Sequence, residues 1–275
     1  MDELVFLKLG GSLITEKTEA YTPRLKKLAA LAREIRDALG AQPTLRLILG
    51  HGSGSFGHYA VRAHLDASPP AVASMGRART DTAYWNGFAE VWYRASQLNR
   101  HVVDALHEAG VPVISLSPSS AAVAAGGRIT SWDLEPLRAA LKSGVLPIIF
   151  GDIVFDGEEG GKVLSTEVLM RHLARDLGPQ RILLAGLEEA VWADFPHRSL
   201  PIDKITPSTF ATLGDKVGAS HGPDVTGGMR SKVVQMLGLV AAIPGLSVRI
   251  FSGEEPGNVA KALSGEGLGT LIASD

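Results

Sequence analysis

Apolar and polar residues along this chain follow two alternating spacings. Short, mostly apolar runs at Leu4–Leu7, Leu45–Leu49, Val111–Leu116, Val145–Phe150, Arg181–Ala185, Ser247–Phe251 and Thr270–Ala273 read as strands. Between them the spacing is helical. Thr22–Gly40 reads as a helix with Thr22 as cap, Pro23 at the first position, Gly40 as stop, and Leu28, Ala32, Ile35 and Leu39 as one apolar stripe. Arg79–Ala109, with a weak point at Asn86-Gly87, and Leu134–Ser143, Thr166–Asp176, Gly227–Ala242 and Asn258–Leu263 also read as helices. Val154-Phe155 and Lys162–Leu164 flank Asp156–Gly161 as a hairpin. Val61–Gly76, with Ser68-Pro69-Pro70, reads as a loop or mobile cover, and Leu200–Pro223 as irregular and polar. Strands alternating with helices predict a mostly parallel, doubly wound α/β sheet in one domain of two lobes, with ligands in the cleft between them.

Composition narrows the chemistry. The 275 residues are 45% hydrophobic and 20% charged, enough for a full core. A formal net charge of −2 argues against a broad nucleic-acid footprint, so any anion site must be local. The absence of cysteine excludes disulfides, thiolate metal sites and a cysteine nucleophile. No apolar run approaches the ~20 residues of a membrane span. The acidic start Met1-Asp2-Glu3 runs almost at once into a strand, without a secretory pattern, so the expectation is a soluble cytoplasmic protein.

Two apolar runs lead into glycine turns. The first is Lys8-Leu9-Gly10-Gly11-Ser12 with Lys17 close behind; the second is Gly50-His51-Gly52-Ser53-Gly54-Ser55-Phe56-Gly57-His58. Each reads as strand, turn, helix, where bare backbone N–H groups and the helix start favour an anion. A third turn, Gly227-Gly228, has Lys232 a helical turn later. Three turns with lysines suit several phosphates. Rival readings lack their context. Gly52–Gly57 matches G-x-G-x-x-G, but no acidic residue ends a second strand about 20 positions on. No P-loop and no G-x-S-x-G elbow occurs, and His51 with His58 lacks a close carboxylate for a metal. The other histidines read as solvent-facing or structural.

Taken in order, Lys8–Ser12, Gly50–His58, Gly151-Asp152, Asp224–Met229 and Lys232 resemble the amino acid kinase superfamily. The Phe56-Gly57-His58 ending points most sharply to its isopentenyl phosphate kinase branch, and Ser252-Gly253, Pro256-Gly257-Asn258, Gly265-Glu266 and Gly269-Thr270 are similar to the family's C-terminal end. The resemblance spans nearly the whole chain. It implies an open αβα sandwich, with an acceptor lobe over about 1–180 and a nucleotide lobe over about 181–275. It also implies transfer from ATP to isopentenyl phosphate, Mg²⁺, a homodimer, and no nucleic-acid or membrane partner. Carried over by position, Lys8, Gly10, Gly11 and Ser12 line the ATP phosphates and Lys17 stabilises the transferring group. Ser53 and His58 meet the acceptor phosphate, Gly54 faces ATP, and Gly151-Asp152 border the acceptor. Gly228 and Lys232 hold the nucleotide. Lys8, Lys17 and His58 form the catalytic set, with His58 a donor rather than a base, because a phosphate monoester with a second pKa of about 6 is already deprotonated.

The chain departs from the family at Ser53, where a glycine is common, at Ser165-Thr166-Glu167 in place of Ser-Gly-Asp, and at Gly186–Trp192. Glu167 is expected to orient active-site lysines with a longer reach. Tyr84, Trp85, Phe88 and Trp92 form an aromatic stripe that reads as core before substrate wall. Two alternatives stay open: a kinase of the same superfamily for another acceptor such as fosfomycin, and a nucleotide-binding protein without turnover.

Overall fold

The computed structural model describes residues 2–65, 82–213 and 228–275. In chain order the first half holds β1 (Glu3–Leu9), α1 (Gly11–Ile14), α2 (Leu25–Ala41), β2 (Leu45–His51), α3 (Gly54–His64), α4 (Thr82–Glu108), β3 (Val113–Ser115), α5 (Pro118–Ala121), β4 (Ala122–Ala125), β5 (Arg128–Trp132) and α6 (Glu135–Lys142). The rest holds β6 (Leu146–Phe150), β7 (Asp152–Asp156), β8 (Gly160–Leu164), α7 (Thr166–Leu177), β9 (Arg181–Gly186), β10 (Val191–Trp192), β11 (Pro201–Ile202), β12 (Lys204–Ile205), α8 (Pro207–Leu213), α9 (Gly228–Ala242), β13 (Ser247–Ser252), α10 (Asn258–Ser264) and β14 (Thr270–Ile272).

Eight strands form one sheet in the order β12-β14-β13-β9-β1-β2-β6-β3, parallel throughout except β13 with β14. Alternation along each strand sends side chains to two cores. Val5, Leu7 and Leu9 of β1 meet Leu28, Leu31 and Ile35 of α2, Leu98 and Val102 of α4, and Val259 and Leu263 of α10. Phe6 and Ile48 meet Leu169, Met170 and Leu173 of α7 and Val233 and Met236 of α9 on the other face. This is the expected αβα sandwich. Each fully buried side chain of this kind contributes about 1.5–3 kcal/mol, so the two faces anchor the strands whose ends carry the site. A second sheet, β5-β4-β7-β8, stands beside the first. Asp156 ties its two turns together, accepting N–H bonds from Gly126 (3.1 Å), Gly127 (2.8 Å), Glu158 (2.9 Å) and Glu159 (2.9 Å).

The expected strands are present within a residue or two, and the structure corrects other boundaries. The helix expected from Thr22 begins at Leu25, because Pro23 pairs with Thr15 in an isolated bridge and the Thr22 hydroxyl turns back to Ala20 O (3.0 Å). It also passes Gly40 to end at Ala41. Asn86-Gly87 does not weaken α4; a Cβ on Gly87 would lie 2.8 Å from His64 O, so this glycine lets α3 and α4 meet. Val61–His64 finish α3 rather than open a loop, and the rest of that expected loop from residue 66 lies outside the described residues. Leu200–Pro223 contains β11, β12 and α8, with 214–223 outside the described residues. The β4–β5 hairpin, turned by Gly126 (φ 55°) and Gly127 (φ 73°), was not expected. Tyr84 and Phe88 are buried as core, whereas Trp92 is 42% exposed.

Candidate active site

The carboxyl ends of β13, β9, β1, β2 and β6 lie side by side, and each ends on a glycine or leads into one. The turns are stitched together: Gly10 N donates to Ala185 O (2.8 Å), Gly52 N to Leu9 O (3.0 Å), Gly151 N to His51 O (3.0 Å) and Gly253 N to Gly186 O (2.9 Å). Open α/β sheets place ligands at this edge.

The first two turns pack backbone on backbone. A Cβ on Gly11 would lie 2.4 Å from Gly54 N, and one on Gly52 would lie 2.8 Å from Gly11 N. Gly54 has φ +50°, and a Cβ there would sit 2.3 Å from Thr15 Oγ1. Only glycine permits this approach. Thr15 closes the joint from below: its hydroxyl donates to Gly11 O (2.9 Å) and accepts from Ser55 N (3.0 Å). Among the described residues, the N–H groups of Gly11, Ser12 and Ser53 donate to no protein atom. Ser53 precedes α3, and its hydroxyl occupies the space above Gly57, where a Cβ would lie 2.1 Å from Ser53 Oγ. The hydroxyl that departs from the family pattern is thus accommodated by a glycine four residues on.

Strand alternation places Lys8 on the face of Phe6, opposite Leu7 and Leu9, where α7 packs. Its ammonium bonds Glu167 in the first turn of α7; Lys8 is 8% and Glu167 6% exposed. Burial pushes the Glu167 carboxyl up, but the charges of Lys8 and Lys232 outweigh it and hold the carboxyl below its usual range. The expected pairing of Glu167 is therefore present with Lys8, while the charge of Lys232 on α9 acts on the same carboxylate. Ser165 caps α7 through Val168 N (3.3 Å). Thr166 Oγ1 donates to His51 O (2.6 Å), and its methyl fills the space a side chain at Gly50 would need (2.7 Å).

On the other side, Gly151 spends its N–H on His51 O. Asp152 is buried; its carboxylate accepts from Ser117 Oγ (3.1 Å), Ser119 N (3.2 Å) and Ile153 N (2.9 Å). Burial outweighs these bonds and pushes its pKa up to about 6. His58 lies on the exposed side of α3, four residues after Gly54. Lys17 is exposed in the segment after α1, and its charge acts on Glu188 beyond β9. Glu188 fastens the divergent 186–192 segment, accepting from Arg198 Nε (2.9 Å) and Nη2 (2.8 Å) and Trp192 Nε1 (2.9 Å). Gly228 opens α9 at φ 71°. The structure thus joins Lys8, the two glycine turns and Gly151-Asp152, and the charge of Lys232 reaches the carboxylate that pairs with Lys8. Lys17 and His58 stand at the exposed margin of the same edge. Sequence reading missed Thr15, Asn99 and Ser117, polar residues whose partners are distant in sequence.

Among the described residues no three histidine or acidic side chains are grouped as a metal cage. None of their helices is long and apolar enough to cross a membrane.

The amino acid kinase family profile matches residues 3–252. The isopentenyl phosphate kinase of Methanothermobacter thermautotrophicus is 32% identical, with 96% of each chain covered. That of Methanocaldococcus jannaschii is 30% identical, with 98% of each covered. A solved isopentenyl phosphate kinase structure superposes with a TM-score of 0.79 at 28% identity, covering 98% of this chain and 100% of the other. The chain belongs to the amino acid kinase family, in the group of isopentenyl phosphate kinases.

Proposed function

We propose that this protein moves the γ-phosphoryl group of ATP to isopentenyl phosphate, giving ADP and isopentenyl diphosphate. The observation that carries the reading is the pair of interlocked glycine turns beside the buried Lys8–Glu167 pair, in a chain similar to isopentenyl phosphate kinases over nearly its whole length. The chemistry asks for little else. An oxygen of the acceptor phosphate attacks the γ-phosphorus as the bond to the β-phosphate oxygen breaks. That oxygen is already anionic, so no base is needed; the difficulty is mutual repulsion of the reactants. Lys8, Lys17 and Lys232 offset it, and the N–H groups of Gly11, Ser12 and Ser53 hold phosphate oxygens. His58 donates to the acceptor phosphate, and Gly151 and Asp152 border it. Glu167 keeps Lys8 in place and carries a charge opposite to Lys232, and among the described residues no acidic cluster is grouped for a metal. Mg²⁺ therefore suits this site as a companion of the ATP phosphates, where it neutralises charge between the reactants.

The acceptor lobe is taken as about 1–180 and the nucleotide lobe as about 181–275, with a homodimer in the cytoplasm as the working form. The test is ADP release with purified protein, ATP and Mg²⁺, offering isopentenyl phosphate, dimethylallyl phosphate and fosfomycin side by side. The reading expects the isopentenyl phosphate arm to give the highest kcat/KM. Release only with fosfomycin would reassign the acceptor, and nucleotide binding without release from any acceptor would remove the enzyme.

A further inference from the structure

His51 is the one histidine of the two glycine turns that the transfer leaves without a task, and it is completely buried. Alternation along β2 turns its ring away from α7, toward α4. The ring stacks on Phe150 with centroids 5.5 Å apart and planes 7° from parallel. Nδ1 lies 3.1 Å from Gly52 O, and Nε2 lies 3.2 Å from Asn99 Oδ1. Asn99 Nδ2 in turn lies 2.6 Å from Ser115 Oγ.

A carbonyl only accepts, so Nδ1 carries a proton. Burial, the largest influence on this ring, lowers its pKa to about 4 and keeps it neutral, so Nε2 has no proton to give. A half-turn of the Asn99 carboxamide exchanges its two end atoms without moving the side chain. In that orientation the NH₂ group donates to Nε2 and the oxygen accepts the Ser115 hydroxyl, so every buried partner is satisfied.

The consequence falls on Gly52. Its carbonyl sits just before α3, beside the N–H groups offered to phosphates. Among the described residues no backbone N–H donates to it. Free to turn outward, it would set a negative dipole against the reactants. We propose that His51 is a positioning residue for the transfer: its ring, keyed by Asn99, holds the Gly52 carbonyl toward the interior so that the turn faces the anions with donors alone. This rests on the phosphate-binding reading of the turn, but not on the identity of the acceptor.

The test uses the full-length protein. His51→Phe keeps the stack on Phe150 and removes the donor, whereas His51→Asn places an amide N–H near the position of Nδ1. Calorimetric titration with Mg-ATP should give about tenfold weaker binding for His51→Phe, the fold-change expected when a buried carbonyl loses its partner. His51→Asn should restore most of it. Mg-ATP affinity of His51→Phe equal to wild type, or the same loss in His51→Asn, overturns the proposal. Should His51→Phe fail to fold, ¹⁵N spectra of labelled wild-type protein decide. Protonated Nδ1 with bare Nε2 supports it, and any other protonation state contradicts it. Binding of Mg-ATP is measured without an acceptor, so an error in the acceptor leaves this result standing.

Discussion

Glu167→Gln is the perturbation whose effect follows most directly from the geometry. Lys8 and Glu167 have side chains only 10% and 8% exposed, and they form a buried ion pair. The amide removes the negative charge that the buried Lys8 ammonium bonds. Breaking a buried pair from one side costs about 3–5 kcal/mol, because the surviving charge stays desolvated. Against a total stability of about 5–15 kcal/mol, the variant remains folded with a thin margin. At about 2–4 °C per kcal/mol for a chain near this size, Tm should fall by roughly 6–20 °C. The sign with pH is fixed as well. The folded carboxyl titrates below its unfolded value, so its stabilisation is complete above that value and drains away on acidification. Wild type and Glu167→Gln should therefore differ at neutral pH and converge in acid. Differential scanning calorimetry reads this, with Lys8→Met/Glu167→Gln as the control: removing both charges should cost less than the two single losses added. Saturating Mg-ATP should raise the Tm of Glu167→Gln more than that of wild type, since the triphosphate returns negative charge to the lysines. A Glu167→Gln protein melting within 2 °C of wild type, or a double variant as unstable as the sum, would refute the reasoning.

Lys8→Ala and Lys17→Ala should lower kcat by about 10²–10³, the range for removing one preorganised charge or donor, while His58→Ala should act mainly on acceptor KM; steady-state kinetics with each reactant varied checks both. Asp152→Asn should flatten the stability profile between pH 4 and 6: the folded carboxyl, at about 6, binds its proton more tightly than the unfolded one, so folding stability falls as pH rises through that window. The difference reaches about 3 kcal/mol above pH 6 for a shift of some two units, and urea melts across that range would show it. Gly11→Ala should lower stability by about 1–3 kcal/mol and abolish turnover, because the new methyl lands on Gly54 N; a stable, active variant would mean that the two turns are not locked together.

What the sequence showed followed from how local the signal is. β1, β2, β6 and β9 are buried on both faces, so each is mostly apolar, and the glycines at or after their ends mark the ligand edge. The β4–β5 hairpin was not legible because its strands are short and half exposed: Ala122–Ala125 is four small apolar residues and Arg128–Trp132 mixes polar with apolar ones. The start of α2 was misplaced because Thr22-Pro23 is a good local start signal overridden by a bridge to Thr15. Lys8 and Lys232 were visible through their glycine turns. Thr15, Thr166 and Asn99 were not, since their partners Ser55, His51 and Ser115 lie 40, 115 and 16 positions away and ordinary spacing gives no hint of them. Glu167 was visible only as a departure from a family pattern; its buried bond to Lys8 is what gives the longer side chain its place.

The central claim is that two anionic reactants meet in one crevice built by the joined glycine turns. A crystal structure with a non-hydrolysable ATP analogue, Mg²⁺ and isopentenyl phosphate tests it most directly. The account predicts the γ-phosphate against Lys8 and the Gly10–Ser12 turn, with the acceptor phosphate facing it from Ser53 and His58. Either phosphate bound elsewhere, or the two held too far apart for in-line transfer, would contradict it.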